Sequence, residues 1–166
     1  MTARIPAIVF ILLLTGYVVF LACTIALLPQ RMATHFDASG RPNGWMSRSS
    51  AVALQGVVGL IVPLIVAAGF FTVRFVPPQR INVPHRDFWF APERREQTCT
   101  YLSRQGFWLA SLLVMLQGLV WYQLVESNAR NVPQLSSSGF LGLIGVFGVA
   151  MIVWVMSLFR HFAKAG

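Results

Sequence analysis

The sequence is poor in charge. Asp, Glu, Lys and Arg make up 11% of its 166 residues, against roughly 25% in an ordinary soluble domain. That is too few ions to cover a water-facing surface. Lysine is almost missing, with Lys164 the only one, and five acids against thirteen basic residues leave a net charge of +8. Two cysteines, Cys23 inside an apolar run and Cys99 in a polar segment, give neither a disulfide framework nor a metal-ligand spacing. There is no His-Glu-x-x-His, no Gly-x-Ser-x-Gly and no phosphate loop. The common metalloprotease, serine-hydrolase and nucleotide-binding signatures are therefore excluded. The basic excess does not indicate a nucleic-acid partner either. The arginines stand at the ends of apolar runs, where membrane proteins keep them, and not clustered on a solvated domain.

What the chain has in abundance is apolar length, with 56% of its residues hydrophobic. Four runs cover about residues 5–28, 51–73, 105–125 and 139–159. Each meets the need for about 20 apolar residues across a roughly 30 Å hydrocarbon core. Continuous runs of this kind satisfy their backbone in lipid only as helices. The expected fold is an all-α integral membrane protein, a single membrane domain of four transmembrane helices. Arg4 ahead of the first run and Ala22-Cys23 within it are also features of a cleaved leader. The run continues to Leu28, however, beyond the about 7–15 residues of a signal core, and Phe20 stands where a lipobox has Leu. A retained helix is expected.

Arginine placement sets an orientation. With the N-terminus inside, Arg4, Arg74, Arg80, Arg86, Arg94, Arg95, Arg104, Arg160 and Lys164 are cytoplasmic, and Arg31, Arg41, Arg48 and Arg130 are outside. Both termini are then expected in the cytoplasm, with an outer loop at 29–50 and a cytoplasmic loop at 74–104. Trp45 and Trp121-Tyr122 are expected near the outer interface, and Trp89, Trp108 and Trp154 near the inner one.

Within the spans the sequence offers packing signals. Gly139, Gly142, Gly145 and Gly148 recur every third residue, a ridge without side chains that lets another backbone approach. Pro63 lies at mid-depth in the second span and is expected to kink it. Gln117 and Thr15 are the notable buried polar groups, with Gln117 expected to make an interhelical hydrogen bond of about 1 kcal/mol. No charged residue falls at membrane depth, unlike the usual pump or ion-coupled transporter. In the loop at 74–104, Pro77-Pro78 ends the second helix and 81–90 reads as extended or interfacial. Pro92 suits a first helical position, with Glu93 in the first turn, so the third helix is expected to project about three turns beyond the lipid. Arg80, Arg86, Arg94 and Arg95 are placed to meet anionic headgroups.

The stretch from Leu28 to Trp45 is unlike the rest. His35 and Asp37 stand two residues apart, but a zinc site needs three or four protein ligands, and the outer loops offer no further His or Cys. No metal and no cofactor is expected. Asp37 reads as a turn former completed by Ser39-Gly40, and Pro42-Asn43-Gly44 as a second turn. Together these make a compact lid with a Trp anchor.

This stretch, Leu28-Pro29-x-Arg31-x-x-Thr34-His35-Phe36-Asp37-Ala38-x-Gly40-x-Pro42-x-Gly44-Trp45 after a first membrane helix, resembles the signature of the SdpI-type family of bacterial membrane proteins. The segment Asn82-x-Pro84-x-x-Asp87-x-Trp89-x-x-Pro92-Glu93-Arg94-Arg95 is similar to one found in many relatives of that kind. The resemblance covers about residues 8–105. It implies a bacterial cytoplasmic (inner) membrane location and a non-enzymatic role of immunity or sensor type. In the immunity members the protein protects against a secreted toxic peptide and relays its presence by sequestering a transcriptional repressor at the membrane. Those members are usually longer, with six helices. The motif positions that transfer are Arg31, Thr34, His35, Asp37, Gly40 and Trp45. An arriving cationic or amphipathic peptide toxin, or another envelope ligand, would meet the outer loop. Asn82, Trp89, Arg94 and Arg95 are candidates for docking a cytoplasmic repressor. The rival expectation is an accessory subunit of a transporter or membrane enzyme complex, docked through the glycine ridge of the fourth helix.

Overall fold

Four apolar runs become four helices long and apolar enough to cross a membrane, and the chain is read as a multi-pass membrane protein. In the computed structural model, which describes residues 3–164, the element order is α1 (Arg4–Thr24), β1 (Arg31–Phe36), β2 (Pro42–Ser47), α2 (Arg48–Thr72), a short α3 (Arg86–Trp89), α4 (Arg95–Asn128) and α5 (Ser137–Phe162). Single 3-10 turns follow α1 at Ile25–Leu27 and α2 at Val73–Phe75. The starts of α2 and α5 are fixed by serine caps. Ser47 Oγ accepts from the Ser50 N–H and Ser136 Oγ from the Gly139 N–H, each satisfying one of the amides a helix start leaves unpaired.

α4 is the central helix, packing against α1, α2 and α5. It is 34 residues long, about 50 Å at 1.5 Å per residue, so it extends well past a hydrocarbon core. Its start differs from expectation. Pro92 and Glu93 lie in the turn before the helix, which begins at Arg95 with Glu96 in its first turn. The amides of Arg94 and Arg95 both donate to the Ala91 carbonyl at 2.9 Å, so the chain tightens into a turn before becoming helical. The segment 81–90, expected to be extended or interfacial, ends in the short helix α3.

The core is built from α1, α2 and α4. Phe10, Tyr17 and Leu21 of α1 meet Ala51 and Ala67 of α2 and Ala110, Val114 and Trp121 of α4. The close backbone approaches are at Gly59 and Gly106. A Cβ on Gly59 would overlap the Tyr17 ring, and one on Gly106 would overlap the Phe70 side chain. The Tyr17 hydroxyl donates to the Gln55 carbonyl at 2.7 Å, and Gln55 Nε2 donates to Gln117 Oε1 at 2.9 Å. Gln117 thus makes the interhelical bond expected of it, whereas Thr15 is exposed on α1. Pro63 is buried inside an unbroken α2. Trp121, expected near the outer interface, is fully buried among the helices, and its Nε1–H donates to Thr24 Oγ1 at 2.7 Å. It is the largest fully buried side chain among the described residues, and Thr24 gives its polar edge a partner.

α5 lies at the periphery. Gly142, Gly145 and Gly148 have nothing within 4 Å of where a side chain would begin, so the ridge does not carry packing inside this chain. Only Gly139 of the four is close to neighbours, Ser136 and Gln123.

Candidate functional site

The motif stretch folds as an antiparallel β-hairpin, with Arg31 opposite Ser47, Met32 opposite Met46, Ala33 opposite Trp45 and His35 opposite Gly44. It is the only sheet among the described residues. Pro42, Asn43 and Gly44 belong to β2 and do not make a second turn. Gly44 is needed as a strand residue: a Cβ there would press on the His35 side chain, and the register shifts on both sides of His35 mark a bulge at this crossing.

One turn closes the hairpin, and Asp37 organises it as expected. Its Oδ1 accepts from the Ser39 hydroxyl at 2.7 Å and from the Ser39 and Arg41 amides at 2.9 Å. These bonds favour the ionised carboxylate, with the Ser39 hydroxyl foremost and the Arg41 amide next, and hold Asp37 below the ordinary carboxylate range. Gly40 adopts φ +79°, a left-handed conformation that glycine takes without penalty. Its carbonyl accepts from the Leu135 amide at 3.0 Å, and a Cβ would overlap the Leu135 carbonyl oxygen. The Ser137 hydroxyl donates to the Ala38 carbonyl at 3.1 Å. The tip is therefore tied to the segment that leads into α5.

The root of the hairpin is held by a residue that sequence reasoning did not single out. Asn128, the last residue of α4, accepts from the Ala33 amide at 2.8 Å through Oδ1 and donates to the Ala33 carbonyl at 2.9 Å through Nδ2. Its side-chain amide replaces a neighbouring strand. Met32 and Ala33 are 0% exposed, so this clamp operates out of water, where unpaired backbone groups are costly. The only sequence signal was a polar residue at the end of an apolar run. Arg48 adds a third tie, donating through a terminal guanidinium nitrogen to the Leu28 carbonyl at 3.0 Å.

The motif residues fall into three places. Asp37 and Gly40 shape the tip. Arg31 and Trp45 are exposed, with the guanidinium carbon 5.8 Å from the indole centroid, within cation–π reach. The exposed His35 hydrogen-bonds through Nδ1 to Asn43 Oδ1 at 2.8 Å. Thr34, His35 and Phe36 also cover a cleft of about 340 Å³ between the hairpin and the helices, reached by Gln55 of α2 and Gln123 of α4.

The residues considered for docking lie at the opposite end. Trp89 Nε1–H donates to the Phe162 carbonyl at 3.2 Å, and its ring stacks on His161 with centroids 4.6 Å apart. Arg95 donates to the Arg74 and Val76 carbonyls at 3.2 and 3.3 Å. These two side chains secure the loop to the helices. Arg94 is exposed, its guanidinium 3.9 Å from the Phe88 centroid, and Asn82 is exposed beside a groove formed with Phe70 and Phe162.

Residues 7–65, which hold most of α1, the hairpin and most of α2, match a domain of unknown function (DUF1648). No curated protein and no solved structure matches the chain.

Proposed function

We propose that the chain is a non-enzymatic bacterial inner-membrane protein of the immunity or sensor type, similar to the SdpI-type family, whose hairpin recognises a peptide or envelope component outside the cell. The observation that carries this reading is the immobilised hairpin. Asn128 holds its root, and Leu135 and Ser137 hold its tip, while Arg31, Trp45 and His35 remain exposed. A surface ordered before binding loses little conformational freedom when a ligand arrives. Exposed Trp and Arg are the side chains that most often carry binding energy.

The charge distribution supports the orientation with both termini in the cytoplasm, which puts the hairpin outside. It also refines the ligand. Arg31, Arg41, Arg48 and Arg130 at this end face only Asp37 and Glu126 as acids, so an uncharged or anionic amphipathic ligand is favoured over a cationic one. Cells lacking the gene, challenged with a broad panel of secreted peptide toxins, should become more sensitive to at least one. An Arg31→Ala/Trp45→Ala chain should fail to restore resistance. Unchanged sensitivity across the panel would refute the immunity role.

One observation favours a second reading. The bare glycines of α5, with open space at Gly142, Gly145 and Gly148, suit a partner helix, as in an accessory subunit of a transporter or membrane enzyme. Recovery of the chain alone after mild-detergent capture would count against it.

A further inference from the structure

We infer that the outer edge of β2 is a docking edge for an extended peptide of neutral or negative charge, which adds there as a third strand by exchanging main-chain hydrogen bonds with Trp45 and accepting one from Ser47. This rests on the reading of the hairpin as the recognition element, and it names how the peptide is held.

The register decides which backbone groups face outward. Opposite residues of an antiparallel pair alternate between bonded and open pairs, and neighbours along a strand turn their N–H and C=O to opposite edges. The Arg48 amide donates to the Gln30 carbonyl at 2.9 Å, so Gln30 and Arg48 form a bonded pair. Met32 and Met46 are then the next bonded pair, and Arg31–Ser47 and Ala33–Trp45 are open ones. Asn128 gives independent support, because it takes both the N–H and the C=O of Ala33 from the side away from β2. By the same alternation, the Trp45 N–H and C=O and the Ser47 N–H point off β2 on the side away from β1. No other element bonds to these three groups among the described residues, and Asn43, Trp45 and Ser47 are all exposed. The Ser47 carbonyl is at the N-cap of α2 and serves the first helical turn.

A donor and an acceptor on one residue, with a second donor about 7 Å along the strand, are the groups that another strand matches. Folded proteins ordinarily blunt such an edge with proline, a bulge, a charge or a cover. Here the edge of β1 is covered by Asn128, and the half of β2 nearest the tip is blunted by Pro42 and the bulge at His35 and Gly44. The stretch from Trp45 to Ser47 has none of these devices. Charge then selects the occupant. No acid lies within ion-pair distance of Arg31 or Arg41, and the Asp37 carboxylate is engaged by the turn. A second copy of the hairpin would bring two such sets of arginines together, whereas a neutral or acidic strand would not.

The test uses the full chain in nanodiscs holding one chain each, with amide exchange read by NMR. Without peptide, the Trp45 and Ser47 amides should exchange at least about 100-fold faster than the Met46 amide, which lies inside the ladder. Slow exchange at Trp45 would mean that the edge is already paired, and would overturn the inference. The probe is the acetylated and amidated pentapeptide Thr-Val-Glu-Val-Thr, beside a form with Lys in place of Glu and a form methylated on every backbone nitrogen. At saturation the acidic probe should slow exchange at Trp45 and Ser47 about tenfold or more. It should also bind about fivefold tighter than the lysine form at low salt, a preference that shrinks as salt rises. The methylated form should not bind; binding equal to that of its parent would overturn the inference. Trp45→Thr keeps the amide, while Trp45→Pro removes it at an outward-facing edge position where proline is tolerated. The proline variant should bind about tenfold more weakly than the threonine variant, with the Ala33 amide protected in both. Equal binding by the two would overturn the inference, and if the proline variant loses Ala33 protection, the methylated probe decides. Protection of Trp45 and Ser47 in discs holding two chains and no peptide would assign the edge to a second copy and overturn the peptide. Failure of the toxin challenge alone would leave strand addition standing. Failure of the probes, with resistance still dependent on Arg31 and Trp45, would leave recognition by side chains and remove the strand.

Discussion

Replacing Asn128 by Ala should release the hairpin without unfolding the helices. The substitution removes the acceptor for the Ala33 amide and the donor for the Ala33 carbonyl, at 2.8 and 2.9 Å. Both groups belong to a residue that is 0% exposed. A buried polar group left without its partner costs about 1–3 kcal/mol, so the two together give about 2–6 kcal/mol, with water entering the gap pulling the value toward the lower figure. At 1.4 kcal/mol per factor of ten, even the lower figure raises the hairpin's opening constant about 30-fold. Amide hydrogen exchange of the full chain in nanodiscs reads this directly. Peptides spanning 31–36 should lose protection by at least that factor, while peptides around Val114, in the middle of α4, should keep theirs. Arg130→Ala serves as the control. It breaks only the Glu126 pair, 2.9 Å long between half-exposed side chains, and surface pairs of this kind contribute about 0–1 kcal/mol. Protection of 31–36 that changes less than threefold in Asn128→Ala would refute the clamp. Equal loss of protection throughout the helices would show that Asn128 supports the whole fold.

Four further outcomes follow from the same geometry. Gly40→Ala forces a left-handed backbone and an overlap with the Leu135 carbonyl, and should destabilise the tip by about 1–3 kcal/mol, read as exchange in 37–41. The folded-state pKa of Asp37 lies below its ordinary value, near 3.9 in an unfolded chain. Its contribution to the turn should thus be complete above that value and fade as pH falls through the lower, folded one, a titration visible in the Ser39 and Arg41 amide signals and flattened in Asp37→Asn. Gln55→Leu and Gln117→Leu should be coupled in a double-mutant cycle of thermal stability by about 0.6 kcal/mol, the usual worth of such a bond in a membrane bundle; additive effects would contradict the 2.9 Å contact. Gly145→Leu meets open space and should leave the melting temperature of the isolated chain unchanged, yet abolish any complex that mild-detergent capture recovers through α5.

The spans were legible because about 20 apolar residues in a row have one solution in lipid, and their positions needed only local information. Their ends needed more. The start of α4 is polar, with Thr98, Ser103 and Gln105 buried against neighbouring elements. Hydropathy alone reads such a stretch as loop; the Pro92-Glu93 start signal read it as helix, three residues ahead of the observed start at Arg95. The hairpin was hidden for a related reason. Pro42, Asn43 and Gly44 are turn residues by composition, but Gly44 is in a strand because His35 crosses over it, and no local propensity reports a crossing. The glycine ridge shows the limit from the other side. A three-residue spacing describes a smooth face but not its neighbour, and the helix glycines under close approach are Gly59 and Gly106, which lie outside that ridge.

The motif itself joins two kinds of constraint that a sequence cannot separate. Asp37 and Gly40 are fixed by the turn they make, and Gly44 by the side chain that lies over it. None of the three needs a ligand to explain it. Arg31 and Trp45 are different. Their contact is exposed and loosely spaced at 5.8 Å, and an exposed pair of this type is worth only about 0.5–1 kcal/mol to the fold. Folding alone would tolerate many other residues in their place. The hairpin's rigidity, moreover, does not come from these two side chains but from Asn128 and the segment leading into α5, both outside the motif. A scaffold held from elsewhere leaves its outward residues free to serve binding. Under the function proposed above, the recognition surface is the Arg31–Trp45 side of the hairpin, where both side chains are exposed.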